Sequence, residues 1–383
     1  MVKPIDRAWE EISQKTLEQN LLTIRDKICD NSMVMGVLKA DAYGHGAKEV
    51  AKVLAKQNID WLGTATIVEG FEIREVVKDI PLLIFGALPL DDVLEAAEKK
   101  VTISGISLDY LEKIETFMRD KKSQHPIDIH LKIDTGLNRT GLTCREDNID
   151  EVINNIKRIK QMKYIRITGI FTHFACPTHE TKRNEEITNM QANRFFALLD
   201  ELDKQEIDVG IKHCCGSLAA VYYPEYQLDL IRAGVIIYGV MGSNFDNSEF
   251  QLKQAMSLKS RVIHVHEMKK GEFMSYNALF EAQEDTKVAL LSIGYADGYR
   301  QVLTNRSKVL INDEYYPTVG RICMDYVMVN LGSESTVSVG DEVTLIGYDQ
   351  KNFIPVSYIA DLCNEIEAEV TCNINKRVPR IMI

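Results

Sequence analysis

Residues 37–47 read VLKADAYGHGA, and Lys39 follows directly on an apolar run of strand length, MVMGVL at 33–38. At the C-terminal end of a strand in a parallel barrel, a lysine points into the mouth where barrel enzymes do their chemistry. The tyrosine, two glycines and histidine behind it form a loop able to approach a ligand closely. Taken alone, the position fits a partly exposed surface lysine equally well. A free lysine titrates near about 10.4, so a neutral, reactive amine requires a desolvated and cation-rich setting. Other polar residues say less by themselves. His173 in THFA reads as a core histidine bonded to backbone, Tyr295 in GYADGY fits a β-domain core, and Ser217 and Gly234 fall where turns fall. The eight cysteines include no CxxC, and Cys214 adjoins Cys215. That spacing suits neither a compact metal site nor a disulfide framework, and it reads as reduced, mostly buried thiols.

The elements that must position such residues follow from the hydrophobic pattern. Apolar β-rich runs alternate with amphipathic stretches of helical length, giving eight strand expectations: 33–38, 61–65, 81–85, 101–104, 127–133, 165–171, 209–213 and 235–239. Between them, segments such as 47–56 and 191–206 carry apolar residues at i, i+3, i+4, with Phe195, Leu198, Leu199 and Leu202 on one face. Alternation of this kind predicts a parallel sheet, and eight units point to a (β/α)8 TIM-like barrel over 12–245, with a helix near 14–29 ahead of the first strand. From about residue 250 the texture changes to short strands with turn signals and a helix near 357–366, a mostly β domain expected over 246–383 together with 1–11. The chain has 383 residues, 45% of them hydrophobic and 26% charged, enough for such a pair of domains. Its 45 basic residues against 56 acidic ones give a formal charge of −11, without long basic runs. That argues against nucleic acid or an anionic membrane as partner and favours a small substrate. The longest uncharged apolar stretch, 233–245, is too short and Gly-rich to span a bilayer. The opening residues lack the apolar core of a secretory signal, which places the expected location in the cytoplasm.

The octapeptide KADAYGHG at 39–46 resembles the cofactor-lysine signature of the alanine racemase family, which uses pyridoxal 5′-phosphate (PLP). KIDTGLNRTGL at 132–142, THFA at 172–175, IRAGVIIYG at 231–239, SIGYADGY at 292–299, VGRICMDYVMV at 319–329 and RVPRI at 377–381 look like its other landmarks, in the same order. The resemblance implies a PLP-holding barrel, a β domain, and a homodimer in which the β domain of one subunit completes the active site of the other. It implies that Lys39 and Tyr276 are the two acid/base groups on opposite faces of the substrate, with Lys39 also holding the cofactor covalently. A tyrosine titrating near about 10 needs help to act near pH 7, and the family pattern offers His173 and Arg232 as a hydrogen-bonded chain to it. Arg232 would face the pyridine nitrogen, where it cannot give up its proton. Tyr43, Ser217 and the backbone amides of Gly234 and Val235 would hold the phosphate. Arg139 and the Met324 amide would hold the substrate carboxylate, Tyr295 would line the entrance, and Lys132 occupies a position that some members carry as a carbamate orienting Arg139.

Two positions depart from the family pattern. Gly216-Ser217 stands where Asn-Ser is usual, and Glu367-Ala368-Glu369 replaces a tripeptide whose tyrosine touches the phosphate and the catalytic tyrosine. The missing ring opens space, so serine is expected as a substrate beside alanine. A racemase for serine or larger amino acids, a PLP decarboxylase of the same plan and a non-catalytic PLP-binding barrel are the competing readings. KADAYGHG with GRICMD speaks against the decarboxylase, and the β domain bearing Tyr276 and Met324 against the carrier.

Overall fold

The computed structural model describes residues 7–242, 245, 247, 248 and 250–383. It divides into two compact units, a barrel unit formed by Leu21–Ala42 with Val50–Ile237, and a β unit formed by the segment up to Asn20, Tyr43–Glu49 and Tyr238–Ile383.

In the barrel unit eight strands lie side by side in the order Leu230–Ala233, Met33–Val37, Trp61–Thr64, Leu82–Ile84, Thr102–Gly105, Ile127–Asp134, Ile165–Phe171, Ile211–His213. Neighbours along this path pair in parallel. Helices cover the outer face, so runs such as Leu82–Ile84 are buried throughout and read as continuous apolar segments rather than alternating ones. Caps mark where these helices begin. Thr66 and Glu69 form a capping box ahead of Ile67–Val76, and Ser107 and Thr181 cap two others through their hydroxyls.

The eighth strand is not where the sequence pattern put it. Residues 235–239 contain a short helix, Val235–Tyr238, and the strand is Leu230–Ala233 just before it. An apolar run as short as VIIY carries no period that separates helix from strand. This displacement matters, because the barrel closes at that strand. The seventh and eighth strands form no ladder. They are joined by a single parallel bridge, Gly216 with Arg232, and by the Arg232 amide donating to the Cys215 carbonyl at 3.0 Å.

The β unit is built on one long strand, Met256–Met268. It pairs with Thr286–Leu291, and the ladder continues through Val327–Gly332, Glu314–Val319, Lys308–Ile311 and Glu342–Asp349, which pairs back onto Met256–Met268 and closes a six-stranded circuit. Register shifts at Leu258/Lys259 and Val262/His264 allow the long strand to serve both neighbours. Trp9–Ile12 adds to its other end and pairs in parallel with Arg380–Met382. The expected helix is Val356–Cys363, whereas Glu314–Val319, with a proline inside it, lacks a strand-like pattern in sequence.

Candidate active site

Lys39 stands exposed two residues beyond Val37, the last residue of the first barrel strand. The four residues after it, Ala40, Asp41, Ala42 and Tyr43, have φ of 53°, 54°, 56° and 53°. This is a left-handed helical turn, which crowds each Cβ against the backbone and costs about 1–2 kcal/mol per residue. Neighbouring groups hold it in place. The Ala40 amide donates to Glu69 Oε1 at 2.7 Å and the Ala42 amide to the Leu38 carbonyl at 2.8 Å. Glu69 is itself fixed, because its other oxygen accepts from the amides of Ala65 and Thr66. The turn ends at Gly44, where a Cβ would lie 2.2 Å from the Thr371 carbonyl oxygen. Backbone strain held in this way marks segments whose geometry is put to use.

The barrel mouth carries a set of cations. Lys132, on the Ile127–Asp134 strand, is buried, and its Nζ donates to Thr140 Oγ1 at 2.7 Å. Burial, then the charges of Arg139 and Arg232, bring its pKa down to about 8 against a partial counter-pull from Asp134. Asp134 shapes the loop that follows, its carboxylate accepting the amides of Gly136, Asn138 and Arg139 at 2.8–3.0 Å. Arg139 is thereby presented at the surface on a fixed backbone.

At the seam between seventh and eighth strands, Arg232 is 5% exposed and makes four hydrogen bonds, all to neutral acceptors. Nη1 donates to His213 Nδ1 at 2.9 Å, and Nη2 to His173 Nδ1 at 3.1 Å and to the carbonyls of Thr172 and Cys214 at 2.9 Å. A guanidinium only donates, so Nδ1 of His173 must present its lone pair and the neutral ring carries its proton on Nε2. Burial and the charges of Arg232, Arg139, Lys132 and Lys39 hold His173 well below the ordinary histidine range, which keeps that ring neutral. Burial brings Arg232 itself down to about 10, against an upward pull from the neighbouring thiols of Cys214 and Cys215. Beside it, Ser217 Oγ accepts the Gly234 amide at 2.8 Å, tying the start of Ser217–Tyr222 to that of Val235–Tyr238. The Gly234 amide is therefore engaged within the protein, while the Ser217 hydroxyl hydrogen finds no acceptor among the described residues. At Gly216 a Cβ would approach His173 Cε1 to 3.2 Å, so this glycine leaves space beside the histidine ring.

In the β unit, three more of the residues singled out by sequence share one cluster of loops. The amides of Tyr295 and Ala296 donate to the carbonyls of Cys323 and Met324, each at 3.0 Å, and Gly294 permits this approach because a Cβ would lie 2.4 Å from both oxygens. Ser275, just before Tyr276, donates from Oγ to the Arg321 carbonyl at 2.8 Å. Its backbone sits at φ 66°, ψ −179°, a region nearly reserved for glycine, and Asn277 and Ala278 also have positive φ. Tyr276, Met324 and Tyr295 are all exposed, at 67%, 53% and 40%. An ion cluster stiffens the same loops. The buried Asp297 takes both Arg7 and Arg377, and Asp325 joins them.

Residues 12–242 match the alanine racemase N-terminal domain and residues 255–382 the alanine racemase C-terminal domain. The chain belongs to the alanine racemase family. It is 36% identical to alanine racemase 1 of Clostridium acetobutylicum over all of this chain and 97% of that one, and 36% identical to the alanine racemase of Methanococcus maripaludis over 98% of each. Among solved structures, the alanine racemase of Clostridium difficile aligns with a TM-score of 0.89 at 34% identity, covering 98% of this chain and 95% of that one.

Several site-building groups of this racemase-family chain escaped the sequence reading. Asp134 carried a usable signal, since Asp-x-Gly invites a side-chain-capped turn. Glu69 carried a local signal as the end of a Thr-x-x-Glu capping box, but none for its reach to the Ala40 amide, and Ser275 and Asp297 carried none for their partners Arg321, Arg7 and Arg377. Tyr43 is half-buried beside Tyr238, ring centroids 5.3 Å apart, and burial pushes its phenol up to about 12. Ala368 lies half-buried on the short helix Glu367–Cys372, whose Thr371 carbonyl abuts the Gly44 turn.

Proposed function

We propose that the protein interconverts L- and D-alanine with PLP, held covalently by Lys39. The observation that carries this reading is Arg232: a buried guanidinium with four neutral acceptors on Nη1 and Nη2, whose Nε–H has no acceptor among the described residues. A donor left over at the barrel mouth, on a group that keeps its proton, fits the pyridine nitrogen of PLP, and the free Ser217 hydroxyl fits its phosphate, with Tyr43 and the amides of Gly234 and Val235 assigned there by the family resemblance. For the Gly234 amide to take part, its bond to Ser217 Oγ must open. When bound, the cofactor supplies the electron-withdrawing carbonyl that makes the α-proton of an amino acid removable.

The chain's own residues supply the rest. Lys39 Nζ takes or returns a proton on one face of the substrate α-carbon and Tyr276 Oη does so on the other, which is what inversion requires. The guanidinium of Arg139 grips the substrate carboxylate with paired donors, assisted by the Met324 amide, and Tyr295 borders the entrance. Tyr276, Met324 and Tyr295 would come from the β unit of a second copy, so the working form is a homodimer. Serine is the second substrate, favoured by the small side chain of Ala368 on the helix against the Gly44 turn. The eight cysteines are free thiols, in keeping with action in the cytoplasm, and no helix among the described residues is long and apolar enough to cross a membrane.

The test is direct. Purified protein reconstituted with PLP should form D-alanine from L-alanine, with L-serine compared in the same assay, and borohydride followed by peptide mapping should place the pyridoxyl label on Lys39. Absence of D-alanine, or a label on another lysine, sinks the assignment.

A further inference from the structure

Behind Arg232 the barrel interior holds two histidines that no step above uses. His213, on the seventh strand, accepts the Arg232 Nη1 proton at Nδ1, and its Nε2 lies 2.9 Å from His130 Nδ1, on the Ile127–Asp134 strand. Both rings are fully buried. His213 stacks on Phe171 with centroids 4.9 Å apart and planes 8° from parallel, and His130 packs against Trp61.

Hydrogen-bond bookkeeping leaves one arrangement for this row. Arg232 can only donate, so His213 Nδ1 is a lone pair; a neutral His213 then carries its proton on Nε2 and donates it to His130 Nδ1; His130 in turn must carry its proton on Nε2. That last N–H is buried without a partner, wedged against Gly169, where a Cβ would stand 2.7 Å from it. Leaving such a donor unsatisfied forfeits its hydrogen bonds to water without replacement, and a leucine at 130 would avoid that loss. A buried polar group left in this state calls for a reason. Here the reason is directional. Without an acceptor at 130, His213 is free to shift its proton to Nδ1, which would then face the Arg232 N–H, donor against donor. Burial and the charge of Arg232 hold both histidines well below their ordinary range, so neither escapes the conflict by staying charged.

We propose that His213 and His130 are positioning residues for the racemase reaction: a row of locked tautomers that fixes the rotation of the Arg232 guanidinium, and so aims its spare Nε–H, without supplying a carboxylate that would neutralise its charge. A carboxylate in place of His213 would orient Arg232 equally well. It would also cancel the field that Arg232 exerts on Lys132 and His173.

This inference rests on the racemase reading, and its test separates the two. In wild-type protein carrying ¹⁵N-labelled histidine, with PLP bound, ring ¹⁵N shifts report which nitrogen bears the proton. His213 and His130, assigned by the signals that His130→Asn and His213→Phe remove, should both be Nε2–H. His130→Leu removes the acceptor and should lower kcat for alanine roughly tenfold to a hundredfold with KM within about twofold, as expected when a group is misaimed rather than a pocket lost. His130→Asn keeps an oxygen where Nδ1 stood and should recover most of that loss. An Nδ1–H tautomer on His213 in the wild type, an unchanged kcat in His130→Leu, or a loss that His130→Asn does not repair would each overturn the proposal. If His130→Leu does not fold, the wild-type spectrum and the kcat of His130→Asn decide it. A wild type that makes no D-alanine defeats the racemase reading instead, and the tautomer measurement stands apart from it.

Discussion

Lys132 is an amine whose pKa is brought down to about 8 first by burial and then by the charges of Arg139 and Arg232, with Asp134 only partly opposing them. Its neutral fraction therefore grows as pH rises through 8, and only the neutral amine can add carbon dioxide, releasing a proton and becoming a carbamate anion. That change turns repulsion toward Arg139 into attraction and would set the guanidinium for a substrate carboxylate. With ¹³C-bicarbonate, a carbamate resonance should increase from pH 7 to pH 9 and vanish in Lys132→Met, whose kcat/KM for alanine should fall about tenfold. A resonance that survives the substitution, or one indifferent to pH, removes the idea. At this scale the sequence shows motif residues well and their supports poorly. Arg232 and His173 are hydrogen bonded, as their family pattern implies. His213 and His130 stand in ordinary apolar strands, and nothing in a one-dimensional pattern tells a locked histidine from a packed one.

The turn after Lys39 raises a question of elements rather than side chains. Four non-glycine residues in the left-handed region are a local conflict between sequence and backbone, and Glu69 and the first strand together hold it. Ala40 is exposed, so glycine there relieves the Cβ crowding without emptying any core. Relief of about 1–2 kcal/mol against an unfolded-state entropy cost of about 0.5–1 predicts that Ala40→Gly is more stable by about 0.5–1 kcal/mol, read as a rise in Tm. A fall in Tm would show that the turn is not strained. The barrel and the β unit themselves were legible from alternation and from the shift to short strands. The eighth strand was misplaced because LIRAGVIIYG holds two short apolar runs around Gly234, and the more apolar of them is the helix.

At the scale of the molecule, the residues assigned to one chemistry are divided between two compact units. Lys39, Lys132, Arg139, His173 and Arg232 belong to the barrel unit, while Tyr276, Met324 and Tyr295 belong to the β unit, where they stand exposed on loops stiffened by strain at Ser275 and by the Arg7–Asp297–Arg377 ion cluster. Large exposed apolar side chains on rigid loops are what a surface made to be covered presents, and Phe273, Leu279 and Tyr326 add to it. If a second copy covers it, each site draws on both chains, and two differently damaged chains can build one intact site. Lys39→Ala and Tyr276→Ala subunits, each inactive alone, should then regain activity on mixing. In the heterodimer one site carries both lesions and the other neither, so a fully exchanged equimolar mixture, half of it heterodimer, should approach a quarter of the wild-type rate per subunit. Recovery must track subunit exchange, followed by native mass spectrometry of the two labelled chains. Exchange without recovery would mean that each chain completes its own site, and the homodimer would lose its part in the chemistry.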